Sequence, residues 1–191
     1  MNLGFDIDGV ISNFTERFKE VVQQHYGISL TENNMYCYDV DLVLGIPKED
    51  VANIVDETLR SNLPLVPLAK ETLDKLHSEG HRIYLLTARS NALISSTSTW
   101  LKEKGIPYDE IYFLAMGKKR LADVHVDLVV EDSLEEALEL TKKVKNVLLF
   151  DQTWNRTVNV KGLLKRVYSW PQIYEEIQKL SATSSKKPSS I

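Results

Sequence analysis

Five short β-rich runs alternate with segments whose apolar residues recur at helical spacing: Leu3–Ile7, Arg82–Thr87, Ile111–Leu114, Leu128–Glu131 and Val147–Phe150. Few architectures accept that order. A strand, a helix and a second strand predict a parallel pair with the helix as crossover, and repetition predicts a parallel sheet covered on both faces. Ala69, Leu73 and Leu76 form one helical stripe, with Pro67 at its start and Gly80 at its end. Leu93, Thr97, Trp100 and Leu101 form the next, closed by Gly105 with Pro107 beyond. After Glu131-Asp132, Ser133 and Glu136 make a capping box ahead of Leu138 and Thr141. Pro171, Ile173, Ile177 and Leu180 mark a last helix. The expected fold is a doubly wound, Rossmann-like α/β domain.

One stretch breaks the alternation. From Phe14 to Leu65 no clear strand is visible. Phe14, Phe18, Val21 and Val22 read as a helix, the polar TENNMYCYDVD follows, and Val51, Ile54, Val55 and Leu59 suggest another helix. Residues 14–65 are therefore expected to form a small helical cap inserted after the first strand of a core made from 1–13 and 66–180. The tail SATSSKKPSSI, residues 181–191, has almost nothing to bury and is expected to be disordered.

Ligands of an open parallel sheet gather beyond the carboxyl ends of its strands. Asp6 and Asp8 follow the first run, Thr87-Ala88-Arg89 the second, Glu131-Asp132 the fourth and DQTWNR, Asp151 to Arg156, the fifth. Lys118 and Lys119 lie between the third and fourth. Carboxylates crowded at the end of an apolar run repel one another, so a cation between them is expected. Acids, a hydroxyl and a lysine on one edge suit a hard dication together with a phosphate. An aspartate is already ionised at neutral pH and needs no base to act as a nucleophile, and a second aspartate can move the proton that the leaving oxygen requires. A threonine hydroxyl, backbone amides and a lysine would neutralise the oxygens of the transferring phosphoryl group.

FDIDGV, LLTAR, an upstream lysine and VVEDS, in that order, resemble the four motifs of the haloacid-dehalogenase-like (HAD) phosphohydrolases. DIDGVISNF, LPLVPLAKETLDKL, the Glu-Asp form of the last motif and FDQTWNR are similar, more narrowly, to the 5′(3′)-deoxyribonucleotidase-like branch. The resemblance covers the body of the chain, from about Asn2 to Leu180. It implies a Mg²⁺-dependent phosphomonoesterase acting on a small phosphorylated metabolite such as a nucleotide. Asp6 is then the nucleophile that becomes an aspartyl-phosphate. Asp8 is the general acid/base, with its backbone carbonyl on the metal, and Asp132 completes the metal site. Thr87 and the Ala88 amide hold the phosphate, Phe14 lines the substrate pocket, and Lys119 or Lys118 neutralises charge. Glu131 replaces the usual first aspartate of its pair and keeps the charge; Ala88 stands where a serine is common and loses one hydroxyl contact.

Plainer readings compete. Asp8-Gly9 is also a hairpin signal. A calcium loop starting at Asp6 would need glutamate at its twelfth position, where Arg17 stands. Asp39-Val40-Asp41 is a second DxD set in polar sequence and reads as solvated. Arg89 can pair with an acid or meet the phosphate. Tyr36 and Tyr38 can pack the cap or stack on a base, and the four histidines show no metal-ligand spacing. The same chemistry fits a sugar phosphate or another small ester, and a receiver-like signalling domain also gathers acids around Mg²⁺, though its acceptor should end a middle strand, and the region of Asp56 reads as helix. A formal net charge of −4 argues against a nucleic-acid polymer as partner. The single cysteine, Cys37, excludes an intrachain disulfide and a thiolate zinc cage. With no signal-like opening and no apolar run of spanning length, the chain is expected to be cytoplasmic and off the membrane.

Overall fold

A computed structural model of the chain describes residues 1–31, 40–116, 118 and 125–184. Strand β1 (Asn2–Phe5) lies inside a six-stranded sheet of order β3-β2-β1-β4-β5-β6, with β2 at Arg82–Thr87, β3 at Glu110–Phe113, β4 at Leu128–Glu131, β5 at Asn146–Phe150 and β6 at Lys165–Val167. Every neighbouring pair is parallel. β6 is the strand that the sequence hides: KRV is three residues long and opens with two charges. The order reverses between β1 and β4, which makes the crevice beyond their carboxyl ends the topological switch point.

The helices are α1 (Phe14–Tyr26), α2 (Val40–Leu44), α3 (Lys48–Arg60), α4 (Ala69–Ser78), α5 (Ile94–Lys104), α6 (Leu134–Leu140) and α7 (Trp170–Ser184). One sheet face packs on Leu73, Leu76, Trp100, Leu101, Ile173 and Ile177, the other on Ala137, Leu140 and Val144. The α4 and α5 stripes are as the spacing predicts. At α6 the stripe is displaced: Ala137 and Leu140 are buried, whereas Leu138 faces solvent and Thr141 lies past the helix end. The cap is as expected, Ser133 Oγ accepting from the Glu136 amide at 3.4 Å. α7 runs on to Ser184, beyond the expected boundary at 180, and residues 185–191 lie outside the described residues.

Two tryptophans tie the loops near the switch point to this core. Trp170 is fully buried, stacks on Phe5 at 5.3 Å and donates Nε1–H to the Val10 carbonyl at 2.9 Å. Trp100 Nε1 donates to the Leu63 carbonyl at 2.9 Å. The Asp8-Gly9 turn is no hairpin, since β1 pairs only in parallel within the sheet.

Between β1 and β2 the chain is helical among the described residues. Phe18, Val21, Val22, Leu30, Leu44 and Ile54 form a cluster of their own, apart from the two that cover the sheet. The segment leaves and re-enters the sheet domain through two stretches joined side by side: Asn13 N–H donates to the Pro64 carbonyl at 2.8 Å and Val66 N–H to the Ile11 carbonyl at 2.9 Å. Asn13 caps α1, its Oδ1 accepting from the Glu16 amide while its Nδ2 donates to the Glu16 carboxylate. Tyr36, Cys37, Tyr38 and Asp39 lie outside the described residues.

Candidate active site

Strands β1 and β4 end side by side, so the residues after them share one crevice. The Asp6 amide donates to the Val130 carbonyl at 3.0 Å, which locks the end of β1 to β4. Asp6, Glu131 and Asp132 each present a carboxylate oxygen within 4.8 Å of the others, and all three are buried. Two unit charges at that separation repel by roughly 3 kcal/mol at an effective dielectric of about 20. Oxygen donors alone, gathered on three carboxylates, are the donor set of a hard divalent cation. Space has been kept for them: Gly9, at φ +87°, approaches so closely that a Cβ would stand 2.3 Å from Asp132 Oδ2. The residues present fit a Mg²⁺ site.

Neighbouring groups set the trio. Glu131 Oε1 accepts from the Asp132 and Ser133 amides at 3.1 and 2.9 Å, folding the glutamate back over the start of α6. Asn155 is 1% exposed and its Nδ2 donates to the Asp132 carbonyl at 2.7 Å and the Phe150 carbonyl at 2.8 Å. Arg166 on β6 holds Asn155 through its side-chain and main-chain oxygens, and pairs with Asp151 at 2.9 Å. Gln152 Nε2 donates to the Gly9 carbonyl. The DQTWNR loop is thus a brace that runs from β6 to the backbone of Asp132 and Gly9. The sequence places DQTWNR after the fifth run but cannot show that Asn155 is buried, because β6, whose Arg166 holds it, has no legible pattern.

Asp8 points elsewhere. Its carboxylate is outside the trio and forms an ion pair with buried Arg89, whose Nη2 lies 2.7 Å from Oδ1. Of the two alternatives for Arg89, the acid partner is Asp8, and Arg89 lines the cavity as well. Burial alone would make the guanidinium easier to deprotonate, but the Asp8 carboxylate, aided by Asp6, outweighs it and holds the Arg89 pKa above its usual range.

Thr87 is fully buried at the end of β2, its Oγ1 accepting from the Arg89 amide at 3.2 Å, and it does not line the cavity. Ala88 does. Lys118 is exposed and is not among the residues that line the cavity, which Met116 reaches, and Lys119 lies outside the described residues.

The cavity above the carboxylates has a volume of about 530 Å³. Its floor is Asp6, Asp8, Glu131 and Asp132, with Ala88, Arg89 and Ser90 along one side. Phe14 and Phe18, stacked at 5.6 Å, form a wall with Val51, Val55, Leu59 and Leu93. Within the stripe read in Val51, Ile54, Val55 and Leu59, Ile54 belongs to the helical cluster, Val51 and Leu59 line the cavity, and Val55 packs on the cluster and lines the cavity as well. Asp56 stands mid-helix on α3 and pairs with Arg60, so it ends no strand and cannot serve as a receiver's acceptor. No helix among the described residues is long and apolar enough to cross a membrane.

Comparisons with known proteins agree with this layout. A nucleotidase of Clostridium acetobutylicum is 29% identical over 185 residues, covering 94% of this chain and 95% of that protein. A haloacid dehalogenase-like hydrolase of Streptococcus pneumoniae superposes with a TM-score of 0.63 at 12% identity, over 93% of this chain and 98% of the other. A magnesium-bound HAD hydrolase of Bacillus subtilis gives 0.62 at 14%, over 92% and 97%. At those identities the structural likeness is one of fold. The family model for 5′ nucleotidase, deoxy (pyrimidine), cytosolic type C proteins matches residues 1–184. The chain belongs to that nucleotidase family and is a phosphoric-monoester hydrolase of the HAD superfamily.

Proposed function

We propose that the protein hydrolyses (deoxy)nucleoside monophosphates with a divalent cation, through an aspartyl-phosphate on Asp6. The single observation that carries this reading is the meeting of Asp6, Glu131 and Asp132 at the floor of a cavity whose opposite wall is apolar. Asp6, Asp132 and the Asp8 carbonyl would hold Mg²⁺, with Glu131 beside them; when bound it supplies the positive charge that lets a carboxylate approach a phosphate dianion.

Asp6 attacks phosphorus as the bond to the ester oxygen breaks, and Asp8 gives that oxygen a proton. A water then attacks phosphorus, its proton passes to Asp8, the bond to Asp6 breaks, and inorganic phosphate leaves. The Ala88 amide and the Thr87 hydroxyl, turned from its local bond, hold the phosphoryl oxygens, and Lys119 or Lys118 adds a cation. Residues 14–65 act as a cap, joined to the sheet domain by the backbone hydrogen bonds from Asn13 to Pro64 and from Val66 to Ile11. Phe14, Phe18 and the aliphatic face of α3 receive the nucleoside. Apart from Asp56, the α3 face of that wall is apolar among the described residues, which suits the flat face of a base.

Phosphate release from a panel of nucleoside monophosphates and sugar phosphates, with Mg²⁺ and with chelator, tests this. Nucleotides should be turned over only with the metal. Turnover confined to sugar phosphates would overturn the substrate class, and full activity in chelator would overturn the metal.

A further inference from the structure

Asp8 is gripped at both oxygens by one side chain. Arg89 Nε donates to Oδ2 at 2.8 Å and Nη2 to Oδ1 at 2.7 Å, while Ser12 Oγ donates to Oδ1 at 2.8 Å. The third nitrogen of Arg89, Nη1, donates to Thr97 Oγ1 at 3.0 Å, and the guanidinium lies 5.5 Å from the centre of the Trp100 ring. Thr97 and Trp100 both stand on α5 and are buried. The Arg89 side chain is 2% exposed, so a single conformation is enforced by the core rather than chosen at a surface.

Each carboxylate oxygen has two lone-pair directions. Among the described residues, both directions on Oδ1 are taken, by Arg89 and Ser12, and one on Oδ2, by Arg89. We infer that Arg89 is a positioning residue for Asp8, and that Oδ2 is the atom that carries the proton to the leaving oxygen. The inference rests on the acid/base reading of Asp8 given above. In the first half-reaction the Oδ2–H bond breaks, its electron pair stays on Oδ2, and the proton bonds to the ester oxygen as the bond from that oxygen to phosphorus breaks. In the second half-reaction an O–H bond of the attacking water breaks and the proton returns to Oδ2. Through both halves the guanidinium fork fixes the plane of the carboxylate, so that the free lone pair keeps one direction. A lysine at this position would offer one point of attachment and leave that plane free to turn.

The role is distinguishable from phosphate binding or folding by the leaving group. A p-nitrophenolate departs without a proton, whereas a nucleoside alkoxide needs one. Because kcat/KM reports only the steps up to departure of the alcohol, attack of water on the aspartyl-phosphate does not enter it. kcat/KM is measured with Mg²⁺ for a nucleoside 5′-monophosphate and for p-nitrophenyl phosphate, on the wild-type enzyme and on Arg89→Met, Arg89→Lys and Asp8→Asn. Arg89→Met should lose about a hundred-fold on the nucleotide, with a loss about ten-fold smaller on the aryl ester. Arg89→Lys keeps the charge, so it preserves the fold if the methionine variant does not; it should show the same selective loss, smaller in size. Equal losses on the two esters, a lysine variant equal to wild type on the nucleotide, or a gain on the nucleotide would each overturn the positioning role. If Asp8→Asn itself loses both esters equally, the acid/base reading beneath the proposal fails instead.

Discussion

Both ends of the sheet collect acidic residues, and the two collections are built differently. At the amino end each acid is answered by a backbone donor: Asp127 Oδ2 accepts from the Asn2 amide at 2.7 Å, and Asp109 Oδ2 from the Ile83 amide at 2.7 Å. Arg82 approaches Asp109 from outside. These carboxylates hold the first residues of β1 and β2 in register, and nothing about them calls for a ligand. At the carboxyl end, Asp6, Glu131 and Asp132 face one another across less than 5 Å, and the surrounding braces hold them there: Asn155 through the Asp132 backbone, Gly9 by omitting a Cβ. The first arrangement lowers the energy of the folded chain. The second crowds three carboxylates into one centre, a donor set suited to a bound cation.

Breaking that contrast at the site end should produce the largest effect. Asp6→Asn removes the nucleophile with almost no change in volume, and turnover should fall by at least about a thousand-fold. Removing one of three crowded charges should leave the melting temperature of the metal-free protein unchanged or raise it, which differential scanning calorimetry reads directly. Substantial residual turnover would show that another group attacks phosphorus.

The same exercise at the amino end should move stability and leave chemistry alone. Asp109→Ala strips the Ile83 amide, whose residue is fully buried, of its acceptor and should cost about 1–3 kcal/mol in urea unfolding. Its kcat should match the wild type; a large fall in kcat would mean that the two ends are coupled through β2.

A smaller effect sharpens the comparison through pH. His81, just before β2, has its pKa pushed down by burial and by the charged amino terminus, against the opposing pull of Glu79, the Met1 backbone and Asp127. The unfolded chain therefore binds the proton more readily than the folded one. The stability that His81 contributes is fully present above the unfolded value, about 6.5, and is lost as pH falls below it. Melting temperature should drop less between about pH 7 and 5 in His81→Gln than in the wild type. An identical drop in both would remove His81 from the account.

The parallel sheet was legible because buried strands of this kind are continuous apolar runs and their crossovers carry helical stripes. β6 was not: a three-residue edge strand has too few positions to show a pattern, and its assignment comes from pairing with Leu148 to Phe150. The carboxylates at the ends of β1 and β4 were legible because strand ends are where such sheets put ligands, and chain order alone lists what stands there. Which acids share a centre was less so. Asp6 and Asp8 look equivalent in sequence, yet only Asp6 turns to Glu131 and Asp132, because Arg89 draws Asp8 aside from 81 residues away. Periodicity also cannot tell a stripe that faces a core from one that faces a cavity, so Val51, Val55 and Leu59 show in sequence only as one side of a helix. Both kinds of face exclude water, and the residue types are the same.

Binding of Mg²⁺ to the protein without substrate probes the three carboxylates alone. Calorimetric titration of the wild type and of Asp132→Asn, alongside the shift in melting temperature on adding the metal, needs no assumption about the substrate. One ion per chain is expected for the wild type with a clear rise in melting temperature, and at least about ten-fold weaker binding for Asp132→Asn. Wild-type protein that binds no Mg²⁺, or a variant that binds it equally well, would mean that Asp6, Glu131 and Asp132 do not form a cation site.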